Sequence, residues 1–452
     1  MQLPFRGSGV VNYSNKEYKC ALYYSDNGGG IVLKIMQLTE TGFGDFFELP
    51  LEIKELSARL DTGYEFTLID LIREKTNDNL STRVSEYTYY AKYLFSGVNK
   101  KFSEKSTFSK IDFELEDIVE WGEDSIYYVG ENYELISKDE PVSRIIYSGD
   151  DYTIKYKVVG SYLPIVDHEL LKEKIELLQH GLIEINFPEE HELNDFLEVF
   201  SKVKSLFEIA LLSKVHVNRI YGFSNKILEY YGDKSVERKI NIYGEIITEK
   251  SYDSKRPVRF NWITLSDFIE NKSFDAYIKK HDRLAPIIEL YIELFYLQGK
   301  TNVRVFLNIV QALETYHSRF VTNDLKMYKS RISSLVQKAP TLNADYIKRN
   351  LMANSKRFIT LESRLADLLY AEGNIYFDTG EIKHEDFPSV IAHTRNYYIH
   401  YDEKIKDKYK VFTSDELKIY NSVLFEMLEY YILYELGFNI ESRGKLVTTR
   451  WG

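Results

Sequence analysis

Cysteine is nearly missing from this chain. Cys20 stands alone, so no internal disulfide can form, and a solitary thiol with no histidine nearby in the sequence reads as a buried strand residue rather than a nucleophile. Long hydrophobic runs are missing as well. The most apolar stretch, Leu284 to Leu297, is broken by Glu289 and Glu293 and falls short of the roughly 20 residues needed to span a bilayer. The opening Met1-Gln2-Leu3-Pro4-Phe5-Arg6 lacks the basic and then apolar build of a secretory leader. A cytoplasmic protein with no membrane partner is expected.

An excess of positive charge is also lacking. Against 69 Asp and Glu there are 58 Lys and Arg, a formal charge of -11, so the field of the whole molecule repels nucleic acid. Any such partner has to be held by a local basic patch. There is no HExxH pattern. A zinc site needs three or four convergent ligands, which His384, Glu385, Asp386, His393 and His400 do not spell out, so no cofactor is expected. Gly28-Gly29-Gly30 has no Lys-Ser/Thr behind it and reads as a hairpin turn, not a phosphate loop.

What is present fits a soluble globular protein. At roughly 150 residues per domain, 452 residues suggest two or three domains. The 37 Tyr and 26 Phe are best explained by strand propensity early in the chain and helix packing late in it. Val10 to Tyr13, Tyr18 to Tyr24, Ile31 to Gln37, Tyr64 to Leu68, Tyr87 to Phe95, Asp112 to Leu115, Ser125 to Val129, Arg144 to Tyr147 and Tyr152 to Val159 read as short strands. Helical spacing enters at Leu170 to Leu178 and Leu193 to Leu212, and strand-like pieces return at Leu182 to Phe187, Lys239 to Tyr243 and Arg259 to Thr264.

The expected fold is α+β. Residues 1–275 form a β-rich N-terminal region, an antiparallel sandwich or barrel with added helices, of one domain or two; residues 276–452 form an all-α bundle. Its helices are expected from about Leu284, with Pro286 in the first turn and Gly299 ending it, from about Asn302 to Phe320, and over Leu361 to Tyr370, closed by Ala371-Glu372-Gly373. Another starts at Glu385, Asp386 and Pro388. A last one is opened by a Thr413–Glu416 capping box and ended by Gly437.

Polar chemistry concentrates in Thr394-Arg395-Asn396-Tyr397-Tyr398-Ile399-His400-Tyr401-Asp402. On a helix Asn396 and His400, four apart, share a face, and Arg395 can bend toward them. An imidazole exchanges a proton near neutrality and a guanidinium grips a phosphate with paired donors, a combination suited to metal-free phosphodiester cleavage. By spacing alone, a surface Arg and a hydrogen-bonded His explain the same residues. Glu314 and His317 lie on the stripe of Val303, Leu307 and Val310; Glu314 either orients Arg395 or His400 or reaches water at the helix edge. Lys404, Lys406, Lys408 and Lys410 recur at every second position, with Arg443, Lys445 and Arg450 in the tail. They are a solvated run, or the local positive field for RNA.

The string from Thr394 to Asp402, late in a helical bundle, resembles the HEPN superfamily and more closely its Apea-like branch of bacterial anti-phage proteins. Phe306 to His317 and Leu361-Glu362-Ser363-Arg364-Leu365 support the resemblance, which covers roughly residues 283–436. It implies a HEPN-type bundle and a metal-independent endoribonuclease with Arg395, Asn396 and His400 as its motif. It further implies 2'-hydroxyl attack leaving a cyclic phosphate, a homodimer or higher homo-oligomer, RNA (tRNA among the candidates) as substrate, and abortive infection set off by a phage-derived trigger. Two other readings stand beside it: a non-catalytic HEPN-like module for RNA binding or dimerisation, and a carbohydrate-binding role for the aromatic-rich N-terminal region.

Overall fold

The computed structural model describes residues 6–25, 30–38, 49–79, 81–96, 106–138, 140–160, 177–232, 234–247, 262–296, 301–338, 345–352, 357–370 and 377–443. The chain divides into two units, residues 1–201 with 215–259 and residues 202–214 with 260–452.

The first unit begins with six antiparallel strands: β1 (Gly7–Tyr13), β2 (Lys16–Ser25), β3 (Gly30–Leu38), β4 (Glu52–Leu60), β5 (Glu65–Asn79) and β6 (Val84–Ser96). Their order is β6-β3-β2-β1-β4-β5, and β5 pairs back onto β6, which closes a barrel and leaves no unpaired edge in the ring. Alternate residues point inward, so Val11, Cys20, Leu33, Leu56, Phe66, Leu68 and Tyr87 share one core. Burial foremost, with Asp61 second, pushes the Cys20 thiol up to about 12, which makes it an inert core residue. Ser25 pairs with Gly30 across the β2–β3 hairpin, and Gly30 takes φ +63°, a conformation glycine adopts without steric cost; Asp26 to Gly29 lie outside the described residues.

Next come β7 (Thr107–Leu115), α1 (Ile118–Gly122), β8 (Tyr127–Val129), β9 (Leu135–Ser137), β10 (Val142–Ser148), β11 (Thr153–Gly160), β12 (Gln179–Glu192), α2 (Leu193–Leu211), β13 (Val217–Phe223), β14 (Leu228–Tyr231), β15 (Lys234–Glu237) and β16 (Ile240–Gly244). Strand β6 belongs to two layers. Val84 to Ala91 pair with β3 in the barrel, whereas Tyr93 to Ser96 pair with β16, from which β13, β7, β12, β11 and β10 continue as an open sheet. One face of that sheet is apolar and receives the start of α2, where the Phe113 and Phe200 rings stack at 3.9 Å. The opposite face is charged: Lys155 pairs with Glu184 at 3.0 Å, and Tyr221 donates to Glu114 at 3.0 Å. Pro188 of β12 cannot donate to a ladder and sits where the β12–β7 register jumps between Asn186 and His191.

The second unit is helical: it takes the second half of α2, from Lys202, and then α3 (Leu265–Glu270), α4 (Ser273–Tyr296), α5 (Asn302–Tyr316), α6 (Leu325–Lys338), α7 (Leu361–Leu369), α8 (Phe387–His400), α9 (Glu403–Lys408) and α10 (Ser414–Glu435), with π-helical turns at His317–Val321 and Ile347–Met352. The β-rich region followed by a helical one is the α+β fold the sequence implies. Thr413 and Glu416 form the expected capping box, and Gly437 takes φ +94° just past α10. Helices α4, α5 and α10 pack through buried polar pairs as well as apolar ones. Tyr291 donates to Glu429 at 2.6 Å and Tyr316 to Glu435 at 2.9 Å. Among the described residues no helix is long and apolar enough to cross a membrane.

Three expectations need correction. Pro286 is not in a first turn; α4 starts thirteen residues earlier, at Ser273, and Pro286 is internal to it. The carbonyl this proline leaves without its helical donor belongs to Asp282, and Arg319 Nη1 supplies a replacement at 2.9 Å. The helix expected to reach Phe320 is regular only to Tyr316 before it widens into the π-helical turn. Within the strand expected at Arg259 to Thr264, residues 259–261 lie outside the described residues. Trp262 and Ile263 are buried but not extended into a strand, and Thr264 caps α3. Most of the expected helix over Leu170 to Leu178 also lies outside the described residues, as do Gly299, Ala371 to Gly373, Lys445 and Arg450.

Candidate active site

Helix α8 carries the motif, and its start is readable from sequence. Pro388 lies in the first turn, where a missing N–H costs nothing, and Ile391, Ala392 and Thr394 turn inward. The chain beyond α8 doubles back along it. Asp402 caps α9 by accepting from the Lys404 amide at 3.0 Å. Tyr397 donates to Glu403 at 3.0 Å, Tyr398 donates to the Phe412 carbonyl at 3.0 Å, and buried Thr394 accepts from the Phe412 amide at 3.1 Å. The His393 ring stacks on Tyr409 at 3.8 Å, and burial lowers its basicity. These ties hold one side of α8 rigid and leave Arg395, Asn396 and His400 on the rest of its surface.

Arg395 is half-buried and reaches Glu314 of α5 at 3.9 Å; its Nη1 donates to Asn396 Oδ1 at 3.4 Å. Both ends of the Arg395–Glu314 pair keep about a third of their side-chain surface in water (34% and 37%), so its contribution to stability is below about 1 kcal/mol and its effect is to orient the guanidinium. His400 is exposed at the last helical position and has no hydrogen-bond or ion-pair partner among the described residues. Arg395 and Asn396 are therefore in contact, Glu314 backs Arg395, and His400 stands open on the same helix end.

His317 lies elsewhere. It is fully buried, its Nε2 is 2.8 Å from Asp367 Oδ2, and its Nδ1 is 3.1 Å from Arg364 Nη1. A guanidinium can only donate, so Nδ1 accepts and the ring is neutral with its proton on Nε2, facing Asp367. Burial first, then Arg364 and Arg331, lowers its pKa to about 3. Arg331 also reaches Asp367, and Arg364 donates to Asn323 Oδ1 at 2.6 Å. Sequence reading missed Arg331, Arg364 and Asp367 as a network. The available signal was Arg364 and Asp367 three apart on one short, otherwise largely apolar helix, where each needs a partner.

The four lysines separate into two kinds. Lys406 lies 4.1 Å above the Tyr397 ring and 3.4 Å from Glu403, and Lys410 lies 3.5 Å from Glu416. The ammonium groups of Lys404 and Lys408 have no ion-pair partner among the described residues. Arg443 is not part of a basic tail surface: it is buried, with its guanidinium 4.3 Å from the Tyr430 ring. His384 is bonded to the Phe377 carbonyl at 2.7 Å, and no three His, Cys, Asp or Glu side chains converge on one point among the described residues.

An Arg-Asn-x-x-x-His sequence on the open end of a bundle helix, following a β-rich region in the chain, is what a HEPN-type protein is expected to carry. A family model described as Apea-like HEPN matches residues 307–442, and one described as ApeA N-terminal domain 1 matches residues 9–280. The chain belongs to the ApeA family of HEPN proteins, for which the family implies an anti-phage role; HEPN domains are generally nucleases. No curated protein and no solved structure matches the chain.

Proposed function

We propose that this protein is a metal-independent endoribonuclease acting as an abortive-infection effector, with Arg395, Asn396 and His400 as its catalytic set. The observation that carries this reading is the open His400 on the helix that also holds a Glu314-backed Arg395. His400 moves the proton of the attacking 2'-hydroxyl or of the leaving 5'-oxygen. Arg395 offsets the charge that builds on the phosphoryl oxygens, and Asn396 holds Arg395 in place. The nucleophile is the RNA's own 2'-hydroxyl, so the products are a cyclic phosphate end and a free 5'-hydroxyl, and DNA is inert. Lys404 and Lys408 supply local positive charge. Two protomers pair so that both motifs face one cleft, RNA (tRNA among the candidates) is cut there, and the N-terminal region senses a phage-derived trigger in the cytoplasm.

The test incubates the full chain and its His400→Ala variant with total RNA in EDTA, reading cyclic-phosphate ends. His400→Ala is expected to lower the rate by about a hundredfold to ten-thousandfold while keeping the fold. Full cleavage by a well-folded His400→Ala protein rejects the assignment. Retained RNA binding by a wild type that never cuts would favour the non-catalytic module instead.

A further inference from the structure

We infer that Tyr401 is a stacking platform for an unpaired base beside the scissile phosphate of the RNA. The inference rests on the RNA reading above and adds a residue to it.

Tyr401 follows His400 directly and ends α8 with φ +50° and ψ +37°, the left-handed conformation, its amide donating back to the Tyr397 carbonyl. Helix ends in this conformation normally use glycine, because a Cβ there meets the backbone. The chain does so past α10, where Gly437 takes φ +94°, whereas Glu123 after α1, Leu212 after α2 and Lys272 after α3 take positive φ as Tyr401 does, and of these four Tyr401 alone is aromatic. A bulky residue in the same geometry is strained, and burial does not repay it, since 64% of Tyr401 is exposed. Its hydroxyl has no hydrogen bond among the described residues. The ring meets Tyr397 and Tyr398 at steep angles of 64° and 88°, with centroids 5.7 and 6.1 Å away, so neither neighbour lies parallel to it as a stacked base would.

A large aromatic held out at some cost, adjacent to a proton-transfer candidate and followed by the unpaired cations Lys404 and Lys408, matches what a nucleobase needs: a π-face for the ring and positive charge for the neighbouring phosphates. A base stacked there must be free of its partner strand, and a duplex does not offer one.

The experiment uses the full chain in the His400→Ala background, in EDTA, with a short fluorescein-labelled single-stranded RNA of mixed sequence and the same strand annealed to its complement. Tyr401→Gly keeps the backbone conformation, and its melting temperature serves as the fold control. It should weaken single-strand binding by roughly 5- to 150-fold, the range for losing one base–aromatic stack. Tyr401→Trp should restore binding, and the duplex should bind the parent more weakly than the single strand. Unchanged affinity in Tyr401→Gly, failure of Tyr401→Trp to restore it, or no binding by the parent overturns the platform. A wild type that leaves RNA uncut while these binding differences hold would reject the nuclease reading and leave the platform standing.

Discussion

His317 and His400 show how environment assigns different work to one residue type. His400 is exposed at a helix end. His317 is enclosed, neutral, and holds Asp367 and Arg364 together. Its pKa falls from 6.5 in the unfolded chain to about 3 in the fold, so the folded state binds fewer protons between those values. The helical unit should therefore lose stability as pH drops from about 6.5 toward 3, and denaturant melts of His317→Gln should be flatter across that window than those of the parent. Asp112 runs the other way. Burial, larger than the opposing pull of Lys157, raises its carboxyl from 3.8 to about 6, so this group costs stability as pH climbs through that range. Asp112→Asn should raise the melting temperature at pH 8 more than at pH 4. A drop at both pH values would mean that the carboxylate is needed by its lysine neighbours.

At the scale of elements, local signals acted where the chain solves a local problem. The capping box before α10 satisfies backbone donors from residues three apart, and Thr413→Ala should cost about 1 kcal/mol in urea melts without changing the folded spectrum. Strand β4 is the opposite case. Its sequence, Glu-Ile-Lys-Glu-Leu-Ser-Ala-Arg-Leu, is rich in helix formers, with Ile53 its single β-branched residue and only the short alternation of Leu56, Ala58 and Leu60 to mark a strand. It is extended because β1 and β5 each offer it a ladder and the barrel core takes Ile53, Leu56, Ala58 and Leu60. Pro286 is similar: proline discourages a helix interior, yet Arg319, distant in sequence, satisfies the carbonyl that the proline orphans.

For the whole molecule the dominant quantity is the charge of -11. A protein that repels polyanions at long range can hold RNA only through a short-range patch, so binding should be steeply salt dependent. Raising salt from about 50 to 200 mM should weaken RNA binding by the His400→Ala protein, and Lys404→Ala with Lys408→Ala together should flatten that slope by about one to two contacts. Binding indifferent to salt would argue against a backbone-gripping patch. Closing six strands into a barrel also spares the first unit an exposed sheet edge in that ring, which limits unwanted strand addition.

The sequence by itself determined the β-to-α order of the chain, the starts of α5, α7, α8 and α10, and the Arg395, Asn396 and His400 motif, because periodicity, caps and motif spacing are short-range properties; α6 and α9 were not read from it. Only the tertiary structure decided that β6 serves both barrel and open sheet, that β4 is a strand, and that Glu314 meets Arg395 while His317 turns to Asp367. Those outcomes depend on which distant groups come within about 4 Å of one another, and a charge or a ladder position finds its partner through space rather than along the chain.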